Sequence, residues 1–307
     1  MGDVRGIQAT GLVRSFGSVN AVAGMDFAAQ PGQVTALVGP NGAGKTTLML
    51  MLASLLAPHA GQIRIDGFDP ATERDEVRRR VGWMPDTLGV WESLTAREIL
   101  TQMGRFYRLT GRDAAARADE LLALVRLENL ADQPARVLSR GQQQRLSLAR
   151  SLIHRPTTLL LDEPAAGLDP SSRIELRRLV REFAAEGSTV VVSSHVLSEL
   201  DEIADAVVFV SGGRTVRSQL VDGPPGGRRY ALEALDLGAA RARLGEIGVA
   251  CAEEAGRRPR LSVVVASEDD AARLLRDLVT SGVAVTAFAP AGGAIEEAYV
   301  DLGVGGP

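Results

Sequence analysis

Short apolar runs alternate with helical segments along the first two thirds of the chain. Val34–Val38 is such a run, and residues 159–161 and 189–193 repeat it further on. Continuous apolar runs of this length are typical of strands that are buried on both faces of a sheet. Because strands and helices alternate between residues 157 and 216, the sequence predicts a mostly parallel sheet and the α/β class.

The stretch between residues 88 and 133 is mainly helical in its pattern. Thr95 followed by Glu98 predicts a capping box, in which a hydroxyl and a carboxylate satisfy the free amides at a helix start. Two further helices are predicted at 47–56 and 142–153.

A proline- and glycine-rich stretch at residues 222–227 interrupts this pattern and predicts a linker. Beyond it we predict strands at 229–233, 249–253, 261–266 and 283–289, with helices at 237–247, 268–280 and 294–302. Leaving out the last helix, the order is β-α-β-β-α-β. This order predicts a small α+β domain of the ferredoxin-like kind.

Residues 39–46, Gly-Pro-Asn-Gly-Ala-Gly-Lys-Thr, match the phosphate-binding P-loop pattern G-x-x-x-x-G-K-[ST] at every fixed position. The predicted strand before the loop and the helix after it supply the context that the motif requires. Lys45 is expected to bridge the β- and γ-phosphates of ATP, and Thr46 to hold Mg²⁺ through its hydroxyl. The predicted ATP-binding residues of this segment are Gly39, Pro40, Asn41, Gly42, Ala43, Gly44, Lys45, Thr46 and Thr47.

Two carboxylates, Asp162 and Glu163, follow the apolar run at 159–161. Ligands of open α/β sheets gather at the carboxyl ends of the strands, so we expect both side chains near the phosphate loop. Asp162 is predicted to anchor the Mg²⁺ shell, and Glu163 to polarise the attacking water as a general base. Alone, the pair could simply cap a strand. Beside a phosphate loop it indicates ATP hydrolysis.

Residues 138–142, Leu-Ser-Arg-Gly-Gln, lie between the phosphate loop and the carboxylate pair. Ser139 is a good N-cap, and a helix start with a hydroxyl and a glycine amide can bind an anion. A Gly-Leu-Asp triplet stands at 167–169, and His195 follows the predicted strand at 189–193. In this order, from about Ile7 to Ser218, the sequence resembles the ATP-binding subunits of ABC transporters.

The resemblance implies that two copies close over ATP, each site being built from one chain's P-loop and the other chain's signature at 138–142. It also implies that Phe16 stacks on adenine, and that His195 contacts the γ-phosphate. His195, Glu163 and Lys45 are therefore the predicted catalytic residues. The residues expected to reach the partner's nucleotide are Ser139, Arg140, Gly141, Gln142 and Asp169.

Two positions depart from the family pattern. Asp86 stands where the family usually has a glutamine that touches Mg²⁺ and the attacking water. Aspartate keeps an oxygen ligand but cannot donate a hydrogen bond, so we predict Asp86 at the metal site and expect retuned hydrolysis. Arg140 replaces a common glycine, and its charge favours a triphosphate. His59 and His154 lack the context of His195 and are predicted to be structural.

Composition limits the classes of function. The formal net charge of −4 argues against a dedicated nucleic-acid surface, and the single cysteine, Cys251, excludes an internal disulfide. No apolar run approaches the roughly 18 residues of a membrane helix, and residues 1–5 lack the apolar core of a signal peptide. If the protein works at a membrane, a partner must therefore hold it there, and the resemblance implies the cytoplasmic face of the cell membrane.

With the resemblance, the sequence predicts an α/β P-loop NTPase core of the ABC type at 1–221, with a helical subdomain at about 83–145. A linker at 222–228 and an accessory α+β domain at 229–307 follow. The implied activity is hydrolysis of ATP with Mg²⁺, and the implied partners are a membrane permease and a second copy of the chain. The last 80 residues or so, including 295–300, resemble the extension of drug-exporter ATPases, which favours export.

Two alternatives stay open beside this interpretation. The first is a soluble ABC ATPase acting in translation or DNA repair, which usually carries two cassettes, a long coiled coil or zinc-binding cysteines. This chain has one cassette, one cysteine and no long heptad run. The second is a nucleotide-binding module with weak hydrolysis, which only Asp86 suggests.

Overall fold

The computed structural model describes residues 5–87, 89, 91–221, 228–254, 259–266, 268–290 and 294–302. The chain divides into two compact units. One contains the residues up to Leu220 together with those from Tyr299 onward, and the other contains residues 221–298. The predicted linker is outside the described residues at 222–227, so the domain boundaries stay predictions.

The first unit alternates strands with helices, as the α/β class requires. Its strands are β1 (Ile7–Phe16), β2 (Val19–Ala29), β3 (Val34–Val38), β4 (Ala60–Ile65), β5 (Val81–Met84), β6 (Thr158–Asp162), β7 (Thr189–Ser193), β8 (Ala206–Ser211) and β9 (Arg214–Leu220). Its helices are α1 (Lys45–Leu52), α2 (Arg74–Arg80), α3 (Ala96–Phe106), α4 (Gly111–Leu124), α5 (Arg140–Ser151), α6 (Pro170–Ala185) and α7 (Leu197–Asp201).

A six-stranded sheet in the order β5-β6-β7-β3-β8-β9 forms the centre of this unit. Its strands are parallel except β9, which pairs antiparallel with β8. Strands β3, β6 and β7 are fully buried, as their continuous apolar runs predicted. Leu37 and Asp162 both pair in register with Ser193, so the carboxyl ends of these three strands lie side by side.

A three-stranded antiparallel sheet, β2-β1-β4, shares one hydrophobic core with the larger sheet. Leu48 and Met49 of α1 are fully buried within this core. Helix α1 occupies Lys45–Leu52, whereas the sequence predicted 47–56. It ends early because Ser54 takes a positive φ of 57°, which the right-handed helix cannot include.

The stretch at about 83–145, which was predicted to be a helical subdomain, contains α3, α4 and the start of α5. The Thr95 hydroxyl accepts from the Glu98 amide and the Glu98 carboxylate accepts from the Thr95 amide, which confirms the predicted capping box. Helices α3 and α4 approach closely at Gly104, where a Cβ would lie 2.9 Å from the Ala114 Cβ. No helix of the described residues is long and apolar enough to span a bilayer.

The second unit contains β10 (Arg228–Ala234), α8 (Leu237–Glu246), β11 (Cys251–Glu254), β12 (Arg260–Val265), α9 (Glu268–Thr280) and β13 (Val285–Pro290). Helix α10 (Ala294–Asp301) follows them. The strands form an antiparallel sheet in the order β11-β12-β10-β13. Leu244 of α8 and Leu278 of α9 pack with Leu232 of β10 in a separate core. The ferredoxin-like assignment itself stays a prediction.

His154 has a structural role in the first unit. Its Nε2 lies 3.0 Å from the Val81 carbonyl oxygen, and its ring stacks on Tyr107 with centroids 3.9 Å apart. Burial lowers the pKa of His154 to about 4. In the unfolded chain the imidazole takes up its proton near pH 6.5, so the folded state loses stability as the pH falls from 6.5 towards 4.

We therefore expect the wild-type protein to lose up to about 3 kcal/mol of unfolding free energy through this group between pH 7 and pH 4. Urea unfolding at a series of pH values measures it. His154→Gln keeps a donor for the Val81 carbonyl but cannot titrate, so its stability should depend less steeply on pH. Equal pH dependence in both proteins would contradict this role.

Candidate functional site

The phosphate loop connects β3 directly to α1. Gly44 has a φ of 99°, which L-residues rarely adopt, and a Cβ there would lie 2.4 Å from the Ala21 carbonyl oxygen. A Cβ on Gly39 would lie 2.2 Å from the Val210 carbonyl oxygen. Both positions therefore need glycine for the loop to keep its path.

A cleft of about 650 Å³ lies beside this loop, at the carboxyl ends of the central strands. Among the described residues, its lining includes these predicted site residues: Asn41, Gly42, Gly44, Lys45, Thr46, Thr47, Asp86, Arg140, Asp162, Glu163 and His195. The structure therefore brings the P-loop, the carboxylate pair and the histidine into one site, although they are far apart in the sequence.

The Lys45 ammonium is held at the loop. Its Nζ donates to the carbonyl oxygens of Gly39 and Pro40, at 2.7 Å and 3.1 Å. Burial lowers the pKa of Lys45, whereas the charges of Glu163 and Asp162 act in the opposite direction. The cation thus lies against the phosphate loop, where a bound phosphate can take over from the two carbonyls.

Phe16 lies at the end of β1 with 48% of its surface exposed. Within the described residues the cleft lining contains Val19 and Ala21 on this side, but not Phe16. The Arg14 guanidinium carbon lies 5.1 Å from the centre of the Phe16 ring. The adenine-stacking role of Phe16 stays a prediction.

Two oxygen ligands suited to a hard cation lie next to each other. The Thr46 hydroxyl donates to Asp162 Oδ2 at 2.9 Å, and the Asp162 side chain is almost fully buried. Asp86 is exposed and lines the same cleft. Mg²⁺ prefers oxygen ligands and usually keeps waters and substrate phosphates in its shell, so a hydroxyl and a carboxylate are a suitable protein contribution.

Glu163 is held in a defined position at the end of β6. Its amide contacts both the carbonyl and the hydroxyl oxygen of Ser193, at 3.2 Å and 3.1 Å. Its φ of 50° is a left-handed conformation that costs energy for a non-glycine residue and is often found at functional sites. Its Oε2 lies 2.8 Å from Nδ1 of His195.

The surroundings of Glu163 suit a general base. Burial raises the pKa of its carboxyl, and the hydrogen bond with His195 partly opposes that rise. A carboxylate with a raised pKa accepts a proton more readily than an exposed one, which favours proton transfer near neutral pH. The His195 imidazole orients the Glu163 carboxylate, and both side chains line the cleft.

The signature at 138–142 forms the start of α5. Ser139 is the N-cap: its hydroxyl accepts from the Gln142 amide at 3.3 Å, and Gln142 Oε1 accepts from the Ser139 amide at 2.8 Å. The predicted capping role of Ser139 is confirmed. Because the hydroxyl accepts from the helix, its own proton remains available for an anion.

Arg140 lies differently from the other signature residues. Its side chain runs along Gly167, where a Cβ would lie 2.9 Å from Arg140 Cδ, and it reaches the lining of its own chain's cleft. Ser139, Gly141 and Gln142 are not part of that lining within the described residues. The predicted contacts of these four residues with a partner's nucleotide stay predictions.

Asp169 begins α6 as its N-cap. It accepts from the amides of Ser171 and Ser172, both at 3.0 Å, and also from their hydroxyls. The side-chain hydrogen bonds from the two serines hold the pKa of Asp169 well below its usual range. The carboxylate therefore stays charged and fixes the turn from 167–169 into α6. Its predicted contact with a partner's nucleotide stays a prediction.

Sequence reasoning missed two residues that position the site. Ser193 donates to Asp162 and accepts from the Glu163 amide. Gln144 is buried and donates from Nε2 to the Glu163 carbonyl oxygen at 3.0 Å. A polar residue at the carboxyl end of β7 was the only signal for Ser193. The glutamine run at 142–144 gave none for Gln144, because helix orientation decides which of the three faces β6.

Gln144 links the signature helix to Glu163, so we expect Gln144→Leu to lower kcat by about threefold to tenfold while ATP still binds. Gln143→Leu is the matched control, since the neighbouring Gln143 donates to the Ala135 carbonyl at 3.2 Å, away from the carboxylates. Phosphate release from both purified variants measures the difference. Equal losses in the two variants would show a general packing effect instead.

The chain is similar to several proteins of known family. Residues 22–166 match the family model of the ABC transporters. The chain is 39% identical over 249 residues to a daunorubicin resistance ATP-binding protein of Streptomyces coeruleorubidus, covering 79% of each protein. It is 36% identical over 203 residues to a Nod factor export ATP-binding protein of Burkholderia lata, covering 66% of this chain and 67% of that protein.

A solved structure also resembles this one. It is a dimeric ATP-binding cassette in a post-hydrolysis state with bound ADP and Pi, with a TM-score of 0.65 at 26% identity, covering 71% of this chain and 99% of that one. The chain therefore belongs to the ATP-binding subunits of the ABC transporter family, and it is an ATPase.

Proposed function

We propose that this chain powers an exporter from the cytoplasmic face of the cell membrane, bound to a separate permease. The relatives whose names refer to daunorubicin resistance and Nod factor export support this direction of transport. The observation that carries the ATPase role is the single cleft that contains Lys45, Thr46, Asp162, Glu163 and His195.

Two copies are proposed to enclose two ATP molecules. Each site would combine the P-loop of one chain with Ser139 and Gly141 of the other. Within the described residues the cleft of a single chain lacks these two groups, while the Ser139 hydroxyl keeps its proton for an anion. The dimeric ATP-binding cassette of known structure supports this arrangement.

The roles of the cleft residues follow from their positions. Lys45 neutralises charge on the β- and γ-phosphates, and Glu163 accepts a proton from the attacking water. His195 orients Glu163 through the 2.8 Å hydrogen bond and lies where it can contact the γ-phosphate. Thr46 and Asp162, with Asp86 at the same wall, would hold Mg²⁺. When bound, Mg²⁺ supplies positive charge that offsets the charge developing on the phosphates.

Asp86 is proposed to retune this reaction. A carboxylate at this position adds a negative charge beside the phosphates and cannot donate to the attacking water as an amide can. Asp86→Gln is therefore expected to raise the basal rate of phosphate release.

Purification from native membranes tests the transport role. The chain should co-purify with a polypeptide that contains several apolar helices, and that polypeptide should change the rate of ATP hydrolysis. Inside-out vesicles that contain both proteins should take up cargo only with ATP, and vesicles with Glu163→Gln should not. Co-purification with ribosomes or nucleic acid, without a membrane protein, would contradict the proposal and favour the soluble alternative.

A further inference from the structure

Three ion pairs connect α6 to the chain segment that follows His195. The three arginines that form these pairs are spaced four residues apart on α6, so they lie on one face of the helix. The pairs are Arg173 with Glu199, Arg177 with Glu202, and Arg181 with Asp205. Helix α6 is thus linked along its length to α7 and the turn after it.

Arg173 differs from the next arginine in where its second contact lies, because that contact is outside α6. Its NH1 lies 2.8 Å from Glu199 Oε1, and its Nε donates to the Leu168 carbonyl oxygen at 3.1 Å. Leu168 lies inside the 167–169 segment and is buried. The contacts of Arg177 are with Glu202 and with the Arg173 carbonyl of its own helix. Arg173 therefore joins the 167–169 segment to α7.

The other end of this connection is His195. Glu199 belongs to α7, a helix of five residues that begins two residues after His195. So short a helix has little stability of its own and depends on tertiary contacts. The Glu199 side chain is only 15% exposed, and it pairs with Arg173 at the first turns of both helices. The position of α7 in turn limits where His195 can place its ring beside Glu163.

We propose that Arg173 is a positioning residue that couples the 167–169 segment to His195. The Arg173 guanidinium donates a hydrogen bond to the Leu168 carbonyl while its charge pairs with the Glu199 carboxylate, so one side chain contacts both segments. Movement of the 167–169 backbone is then transmitted through Arg173 and Glu199 to the start of α7. The effect is on the alignment of His195 with Glu163, and it rests on the proposed roles of these two residues.

The test uses the full chain and four variants. Arg173→Ala removes both contacts, Glu199→Gln removes the charge that pairs with Arg173, and the double variant removes both ends. Arg177→Ala is the matched control, because it removes the neighbouring pair between α6 and Glu202, the residue directly after α7, without touching 167–169. Each protein is assayed for kcat, the KM for ATP, thermal stability, and hydrogen exchange of residues 194–199.

Arg173→Ala is expected to lower kcat about threefold to tenfold, with a KM within about twofold of wild type. Glu199→Gln should show part of this loss, and the double variant should be no worse than Arg173→Ala, because the two groups act as one link. Hydrogen exchange at 194–199 should be faster in these variants. Arg177→Ala should keep kcat within about twofold of wild type. Its Tm should change by a few degrees, as much as that of Arg173→Ala.

Equal losses of kcat in Arg173→Ala and Arg177→Ala would overturn the proposal. They would indicate that the ion pairs of α6 only stabilise the packing of this helix. Unchanged exchange at 194–199 in Arg173→Ala would overturn it as well. If Arg173→Ala does not fold, Glu199→Gln and its exchange profile decide in the same way. Failure of the Glu163 assignment would be distinguishable, because Glu163→Gln would then retain turnover whatever the Arg173 variants do.

Discussion

Replacing Glu163 with glutamine is expected to reduce ATP turnover by at least about 100-fold, while ATP still binds. Glutamine has nearly the same shape and can keep a contact with His195, but it cannot accept a proton from water at neutral pH. The Lys45 contacts and the Thr46–Asp162 pair do not involve the Glu163 side chain. Phosphate release and equilibrium binding of ATP, measured on the same preparation, separate the two effects.

The control for this experiment is Glu186→Gln, since Glu186 is an exposed glutamate at the end of α6. It should keep wild-type turnover. The raised pKa of Glu163 adds an independent check on the wild-type protein. Protonation of Glu163 removes the base, so kcat should fall as the pH is lowered. This fall should begin at a higher pH than it would with an exposed glutamate as the base. Wild-type turnover in Glu163→Gln would remove Glu163 from the mechanism.

Lys45→Met is expected to weaken ATP binding by about 10- to 100-fold, the effect of losing a hydrogen bond from a charged group. Methionine fills similar space but carries no charge for the phosphates. The loop itself should remain folded, because Gly39 and Gly44 determine its path through close backbone contacts. Fluorescent nucleotide titration measures the change, and circular dichroism verifies the fold.

Lys45 is the only lysine in the sequence, which permits a second measurement without a variant. An amine-directed acylating reagent can modify only Lys45 and the chain's terminal amine. Saturating ATP should protect Lys45 and leave the terminal amine unchanged as an internal control, as peptide mass spectrometry would show. Equal labelling of Lys45 with and without ATP would contradict its contact with the phosphates.

Features that depend on local chemistry could be predicted from the sequence. The capping box of Thr95 and Glu98 and the N-cap at Ser139 were predictable, because both involve residues only three positions apart. The apolar runs likewise located β3, β6 and β7, because strands buried on both faces are rich in apolar, β-branched side chains. The element order of the second unit followed from its alternating pattern.

Features that depend on packing between distant segments could not be predicted. Gln144, Ser193 and Arg173 act through contacts with backbone or side chains that are far away in the sequence or across a turn. Nothing in the local pattern distinguishes Gln144 from Gln143, and the only signal for Ser193 is its polar side chain at the carboxyl end of β7. The early end of α1 also came from a single positive φ at Ser54, which residue preferences did not indicate.

We propose that two copies of the chain share each nucleotide site. The most direct test is the mass in solution of the Glu163→Gln variant with saturating Mg·ATP. Light scattering should give twice the 32.4 kDa of one chain. The mass should be 32.4 kDa when ATP is removed, or when the same chain carries both Glu163→Gln and Lys45→Met. A mass of 32.4 kDa while ATP is demonstrably bound would contradict a site shared between two copies.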